Sequence, residues 1–333
     1  MATDTSAFNS AHLEPPTHTQ QLAITAFGEA KTLALQTQPI PKMTSQQVLV
    51  AVNFAGVNPI DAKTRAGLGW AAQQNKDNLP WVPGYDIAGQ VVAIGEQVTE
   101  FAIGDRVSGF IGFPLQGGGY SQYVVAEQQA LSHVPDNVTL ETAAALPLAG
   151  QTAWQALEKV KVKAGERVLI LAGAGGVGHL AIQLATAKQA QVIATASQAN
   201  LAFLTELGAH AVDYHQGALV DLIEPVDVLI DLMGSEVGIA ALECVKAGGR
   251  VVTIPTITAD LVCQRAEALG LSACGILVSP SVVQNNAMLE RVALGQLQVE
   301  IAQSFPLSQG VQAHQQIESG RTRGKVLLAV SAP

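Results

Sequence analysis

The run Val168-Leu169-Ile170-Leu171-Ala172-Gly173-Ala174-Gly175-Gly176-Val177-Gly178 joins five apolar residues to a glycine pattern of the form G-x-G-x-x-G. The apolar half has the length and side chains of a buried strand. From Val177 to Gln189 apolar residues recur three and four apart, the period of a helix. Between a strand and a helix the glycines have a physical purpose. Gly173 permits a tight turn, Gly175 lets the backbone approach a pyrophosphate, and Gly178 allows the helix to pack closely on the strand. Ala174, Gly176 and Val177 complete the cradle, and the helix N-terminus directs amide donors at phosphates. Taken alone the pattern is equally that of an ordinary strand–helix turn, so its surroundings decide.

Those surroundings alternate short apolar runs with helical segments. Strands are expected at Arg167–Gly173, Gln191–Ser197, Ala211–His215, Val226–Met233, Gly249–Pro255 and Leu271–Val278, with helices including Val177–Gln189 and Gln198–Leu207. Near-continuous apolar strands separated by helices indicate a parallel sheet covered on both faces, and six of them fit the doubly wound dinucleotide fold. The fold class is therefore α/β. Before about residue 140 the text is strand-like and turn-rich, with runs at Val48–Val52, Gln90–Gly95 and Tyr120–Val125 between glycines and prolines, as in an irregular antiparallel domain. After about Ser281 a helix (Asn285–Leu294), a strand near Val299, a helix (Ser308–Glu318) and a strand (Lys325–Val330) return to that first domain. The expected division is a flexible extension at 1–20, a β-rich domain at 21–145 and 281–333, and a dinucleotide-binding domain at 146–280.

The end of the second parallel strand selects the nucleotide. Sites for NADH carry an acidic residue there to accept from the ribose 2′-hydroxyl. Here the sequence reads Thr195-Ala196-Ser197-Gln198-Ala199-Asn200, with no carboxylate to repel a 2′-phosphate, and Ser197 can donate to one. No Lys or Arg follows. NADPH is the expected cofactor, and a helix N-cap is the other role open to Ser197.

Composition excludes several classes. The 333 residues are 48% hydrophobic and 14% charged with a net charge of −9, which suits a globular protein of two domains and gives no basic footprint for nucleic acid or an anionic membrane. No apolar run approaches the roughly 20 residues that span a bilayer. The first 20 residues lack the basic start of a signal peptide. Cys244, Cys263 and Cys274 are too few and too clustered for a disulfide framework. A cytoplasmic location is expected.

Five ordered motifs make the chain resemble the zinc-independent quinone oxidoreductase and enone reductase branch of the medium-chain dehydrogenases/reductases. They are Ala55-Gly56-Val57-Asn58-Pro59-Ile60-Asp61, Pro83-Gly84-Tyr85-Asp86-Ile87-Ala88-Gly89, Gly104-Asp105-Arg106-Val107, Ala144-Ala145-Leu146-Pro147-Leu148-Ala149-Gly150-Gln151-Thr152-Ala153, and the glycine pattern. The resemblance implies a GroES-like catalytic domain, a Rossmann domain and a cleft between them. Zinc-dependent relatives place a cysteine ligand where this chain has Asn58 and a Gly-His-Glu where it has Gly84-Tyr85-Asp86. A catalytic zinc needs three protein ligands, and the seven histidines show no ligand-like spacing, so no metal is expected. Carried over by position, Asn58 and Thr152 lie by the nicotinamide, Ser197 and Tyr214 flank the 2′-phosphate, and Gly234 and Ile254 pass close to the cofactor. Each also has a structural reading: Thr152 as a helix cap, Tyr214 as a packed strand aromatic, Asn58 as a turn residue.

The activity implied is hydride transfer from NADPH to a small enone or quinone. Adding hydride to an enone β-carbon leaves negative charge on the carbonyl oxygen, and without zinc another donor must meet it. Lys63 is the first candidate, with Asp61 to orient it and Tyr85 as a weaker alternative. A solvated surface charge is the alternative for Lys63. Gly69-Trp70, Phe110-Ile111-Gly112-Phe113 and Gly117-Gly118-Gly119-Tyr120 are expected to line the cleft, the triple glycine as a mobile lid. The apolar strand 271–278 at a sheet edge predicts a homodimer by strand pairing. A catalytically idle NADPH-binding sensor is the competing function.

Overall fold

The computed structural model describes residues 16–330. The chain begins with an antiparallel pair, β1 (His18–Ile24) and β2 (Leu33–Pro39). Then come β3 (Gln47–Val57), α1 (Pro59–Arg65), α2 (Gly69–Asn75), β4 (Asp86–Ile94), β5 (Arg106–Phe110), β6 (Tyr123–Glu127), β7 (Leu131–His133) and α3 (Leu140–Ala144). The second half runs α4 (Pro147–Lys159), β8 (Arg167–Ile170), α5 (Gly178–Ala187), β9 (Gln191–Ala196), α6 (Leu201–Glu206), β10 (His210–Asp213), α7 (Leu219–Leu222), β11 (Val226–Asp231), α8 (Ser235–Ala241), β12 (Val245–Thr253), α9 (Ala259–Ala268) and β13 (Ser272–Gly275). α10 (Val282–Ala293), β14 (Ile301–Pro306), α11 (Gly310–Glu318) and β15 (Lys325–Ala329) close the chain.

The six parallel strands are ordered β10-β9-β8-β11-β12-β13, a doubly wound sheet whose direction of winding reverses between β8 and β11. Alternation along β8 explains why it is buried on both sides. Val168 and Ile170 enter one apolar layer while Leu169 and the following Leu171 enter the other. The GroES-like part is a sheet of order β14-β15-β3-β4-β5-β7, with β6 also paired to β3. Its core holds Val48, Val50, Val52, Ile87, Val91, Val107, Val326 and Leu328. β14 and β15 thus bring the end of the chain back to the first sheet, and β15 starts beside the glycine turn, where Gly175 bridges Gly324.

Several expected boundaries move. Residues 18–20, expected in a flexible extension, are the first of β1, which a partner strand holds in register; residues 1–15 lie outside the described residues. The edge strand is only Ser272–Gly275, shorter than 271–278, because β12 offers it four partners from Arg250 to Thr253. Gly69-Trp70 opens α2 and is not a loop. The triple glycine is pinned, not a lid. Gly118, Gly119 and Tyr120 donate to the carbonyls of Val82, Gly84 and Pro83 at 3.0, 2.9 and 3.1 Å. Gly117 and Gly118 are needed there for their left-handed φ of 55° and 102°.

Candidate active site

The turn after β8 shows why each glycine is there. A Cβ on Gly173 would lie 2.8 Å from Ala194 Cβ and 3.0 Å from Leu204 Cδ2, so this residue serves close packing. The left-handed residue of the turn is Ala172, at φ 50°, which corrects the expectation that Gly173 makes it. A Cβ on Gly178 would collide with Ala172 O and sit 2.8 Å from Gly173 Cα, so α5 can start this near the strand only with glycine. Gly175 differs, since a Cβ there would meet only Ala172 O at 3.3 Å; its open side is where a phosphate can approach the backbone.

At the ends of β9 and β10, Ser197 and Tyr214 follow the paired residues Ala196 and Asp213. The Ser197 side chain caps no backbone amide; it accepts a 3.4 Å bond from Asn200 Nδ2 and keeps its own proton free. Tyr214 is half exposed and lies against His215 with ring centroids 4.2 Å apart, not packed as a core strand residue.

Between the two sheets lies an apolar cleft of about 180 Å³. Asn58, Lys63, Thr152, Val177 and Ile254 line it, with Trp70 and Phe113 as its aromatic wall and Leu277 and Val278 opposite. Gly234, at φ 66°, lies in the loop after β11, where a Cβ would collide with Thr258 Oγ1. Thr152 is inside α4, not at a cap. Its hydroxyl donates to Leu148 O at 2.7 Å, which uses its only proton and leaves an acceptor for the cleft.

Lys63 lines this cleft and is partly buried, and among the described residues its ammonium makes no hydrogen bond or ion pair. Loss of water lowers its pKa from the ordinary lysine value. Asp61 does not orient it. That carboxylate is fully buried, accepting from Asn58 N at 2.8 Å, Gly84 N at 3.1 Å and Tyr120 Oη at 3.4 Å. Its bond to Asn58 N is the reach-back half of a capping box at the start of α1. Burial raises its pKa to about 7. Tyr85 is also removed from the cleft lining. It is buried, donates to Pro114 O at 3.2 Å, and packs among Trp81, Phe110 and Phe113, with its pKa raised by burial.

Asn58 is held from behind by residues that sequence reasoning did not single out. Lys325 Nζ donates to Asn58 Oδ1 and, at 3.3 Å, to Asp86 Oδ2. Asn58 Nδ2 donates to Asp86 Oδ2 at 2.8 Å, and Asp86 Oδ1 accepts from Leu148 N at 2.7 Å at the start of α4. Lys325 is separated from Asn58 by 267 positions, so no local pattern joins them. The one available signal is a lysine opening an otherwise apolar strand.

Among the described residues no group of three His, Cys, Asp or Glu side chains could hold a metal ion, and no helix is long and apolar enough to cross a membrane. Two family models match the chain: the alcohol dehydrogenase GroES-like domain over residues 44–136 and the zinc-binding dehydrogenase domain over residues 207–328. A 2-methylene-furan-3-one reductase of Solanum lycopersicum is 34% identical, over 97% of this chain and 82% of that protein. An NADPH-dependent alkenal/one oxidoreductase of Arabidopsis thaliana is 37% identical over 68% of this chain and 60% of that protein. The solved structure of the quinone oxidoreductase from Coxiella burnetii superposes with a TM-score of 0.92 at 41% identity, covering 94% of this chain and 100% of that one. With the glycine cradle, the paired sheets and these relatives in place, the chain belongs to the medium-chain dehydrogenase/reductase family, as an oxidoreductase that uses a nicotinamide cofactor.

Proposed function

We propose that this oxidoreductase reduces small, flat, mostly apolar enones or quinones with NADPH and needs no metal. The uncommitted Lys63 ammonium in an apolar cleft carries this reading. An ammonium without a partner in such surroundings is costly, and a substrate oxygen gaining negative charge offsets that cost. Bound at the glycine turn, NADPH supplies the hydride. Asn58 has one N–H left to donate and Thr152 one oxygen left to accept, which matches the C=O and NH2 of a nicotinamide carboxamide and would fix the ring. Trp70 and Phe113, ring centroids 5.9 Å apart and edge to face, give a flat substrate its wall. Lys63 would donate to the carbonyl oxygen as charge develops there on hydride addition to the β-carbon; the resulting enol becomes the ketone by taking a proton from water at the α-carbon and releasing the one on oxygen.

NADPH is favoured over NADH by the absence of an acidic side chain at Ser197, by the free Ser197 hydroxyl, and by the relative named as NADPH-dependent. Metal independence is supported by Asn58 and Tyr85 standing at positions where zinc-dependent relatives carry ligands. We place the enzyme in the cytoplasm, as a homodimer paired through β13. That short strand ends the parallel sheet, and Leu269 and Leu277, which flank it in sequence, are exposed. The direct test is reduction of a β-substituted enone with NADPH deuterated at the nicotinamide C4. A saturated ketone with deuterium at the β-carbon supports the proposal; an allylic alcohol with deuterium on the carbonyl carbon contradicts it.

A further inference from the structure

We propose that Lys325 is a positioning residue. Together with Asp86 it holds the Asn58 carboxamide in one orientation, so that the cleft is offered an N–H donor and not the amide oxygen. The inference deepens the reductase reading above and rests on it for the group that this donor meets.

The chemistry of the three side chains settles the orientation. A lysine ammonium only donates, so the Asn58 atom facing Lys325 is Oδ1; an ionised carboxylate only accepts, so the atom facing Asp86 is Nδ2. A flipped amide would set NH2 against NH3⁺ and oxygen against carboxylate, two repulsive contacts in place of two charge-assisted bonds. All three groups are at least 97% buried, with relative exposures of 3% for Lys325, 0% for Asp86 and 2% for Asn58. No solvent is there to rescue the wrong orientation.

The fold makes room for this arrangement at two glycines. A Cβ on Gly56, paired in register with Asp86, would fall 2.6 Å from Asp86 Oδ2. One on Gly176 would fall 3.0 Å from Lys325 Cδ, so the lysine stem lies directly against the cofactor turn. Just before it, Gly324 N donates to Ala174 O at 2.8 Å. Lys325 is therefore fastened to the cradle at one end and to the cleft donor at the other, and it registers the two halves of the site. A packed apolar side chain would fill the same volume without the desolvation cost of two buried charges, so stability alone does not account for the pair.

The test uses the full-length protein, Lys325→Met, and the double variant Lys325→Met/Asp86→Asn. The double variant removes both charges and leaves no unpaired buried carboxylate, so it isolates positioning from folding. With NADPH and an enone, both variants are expected to lose about tenfold or more in kcat while the NADPH Kd stays within about threefold, the signature of lost orientation and not lost binding. The emission of bound NADPH should shift, because the nicotinamide is held differently. A folded double variant with kcat within about threefold of wild type, or one whose NADPH affinity falls in step with kcat, overturns the proposal. If the wild type itself reduces no enone or quinone, the functional reading fails separately and the emission decides. A shift then supports the positioning role, and unchanged emission in the double variant overturns it.

Discussion

Lys63 is the residue on which the chemistry turns, and its surroundings define how it should behave. Burial lowers its pKa from the ordinary lysine value, with no facing carboxylate to restore it. As a proton donor it works while charged, so kcat/KM should fall as pH rises through its lowered pKa, sooner than an exposed lysine would require. The Lys63→Ala variant should lose about 10²-fold in kcat/KM, keep its NADPH affinity, and lose that alkaline limb. Rates across pH for both proteins check it; an unchanged limb in the variant would assign the ionisation elsewhere. At this scale sequence was an uneven guide. Lys63, Asn58, Thr152 and Ile254 meet at the cleft. Asp61 and Tyr85 do not, because nearness in sequence says nothing about which way a side chain turns. Asp61 lies two residues from Lys63 yet faces Gly84 and Tyr120.

Elements show a different balance. The strand–turn–helix of β8 and α5 was legible from periodicity and glycine spacing, yet the roles of the glycines needed coordinates, since packing against Ala194 and Leu204 cannot be read locally. Gly178→Ala should destabilise the protein by about 1–3 kcal/mol through overpacking against the β8 backbone, and weaken NADPH binding; thermal melts and titration test both. Two buried histidines tie elements together in fixed tautomers. His179 Nδ1 donates to Gly175 O at 2.8 Å while Nε2 accepts from Glu300 N at 3.2 Å. His314 Nδ1 accepts from Arg65 Nε at 3.3 Å, which leaves its proton on Nε2, 3.3 Å from Tyr120 Oη. Burial lowers their pKa values to about 4 and about 3. Folded-state values below the unfolded 6.5 mean that their stabilisation is present above pH 6.5 and lost as pH falls. Asp61 acts oppositely: raised to about 7, it favours the folded state at low pH and loses that contribution as pH rises from about 4. Between pH 4 and 6.5 two histidines outweigh one carboxyl, so these three groups together make stability fall on acidification. Chemical denaturation across this range should show that slope, shallower in His314→Gln, whose amide can replace both bonds; equal slopes would contradict the assignment.

For the whole molecule, the six alternating strands and the return of the chain to its first sheet were legible in the apolar runs, because a parallel sheet covered on both faces leaves few other architectures; the order of the strands was not. What joins the halves was invisible. Gly324 on Ala174, Glu300 on His179 and Lys325 on Asn58 are contacts between segments more than a hundred residues apart. A short edge strand flanked by exposed Leu269 and Leu277 predicts a dimer near 69 kDa, twice the chain mass of 34.6 kDa. Light scattering at micromolar concentration should find it, and Ala273→Pro in β13 should yield monomers by removing a donor from the free edge, since the alternate residues Cys274 and Ile276 face β12; a monodisperse wild-type monomer would end the pairing scheme.

Metal-free, NADPH-driven reduction of an activated double bond or quinone is the proposed activity. It is tested most directly by initial rates of NADPH and NADH oxidation with an enone, a quinone and a simple aldehyde, before and after exhaustive chelation. The enzyme should turn over the enone or quinone, prefer NADPH, and show rates that chelation leaves unchanged. Activity confined to the aldehyde, or abolished by chelation and restored by zinc, would contradict it.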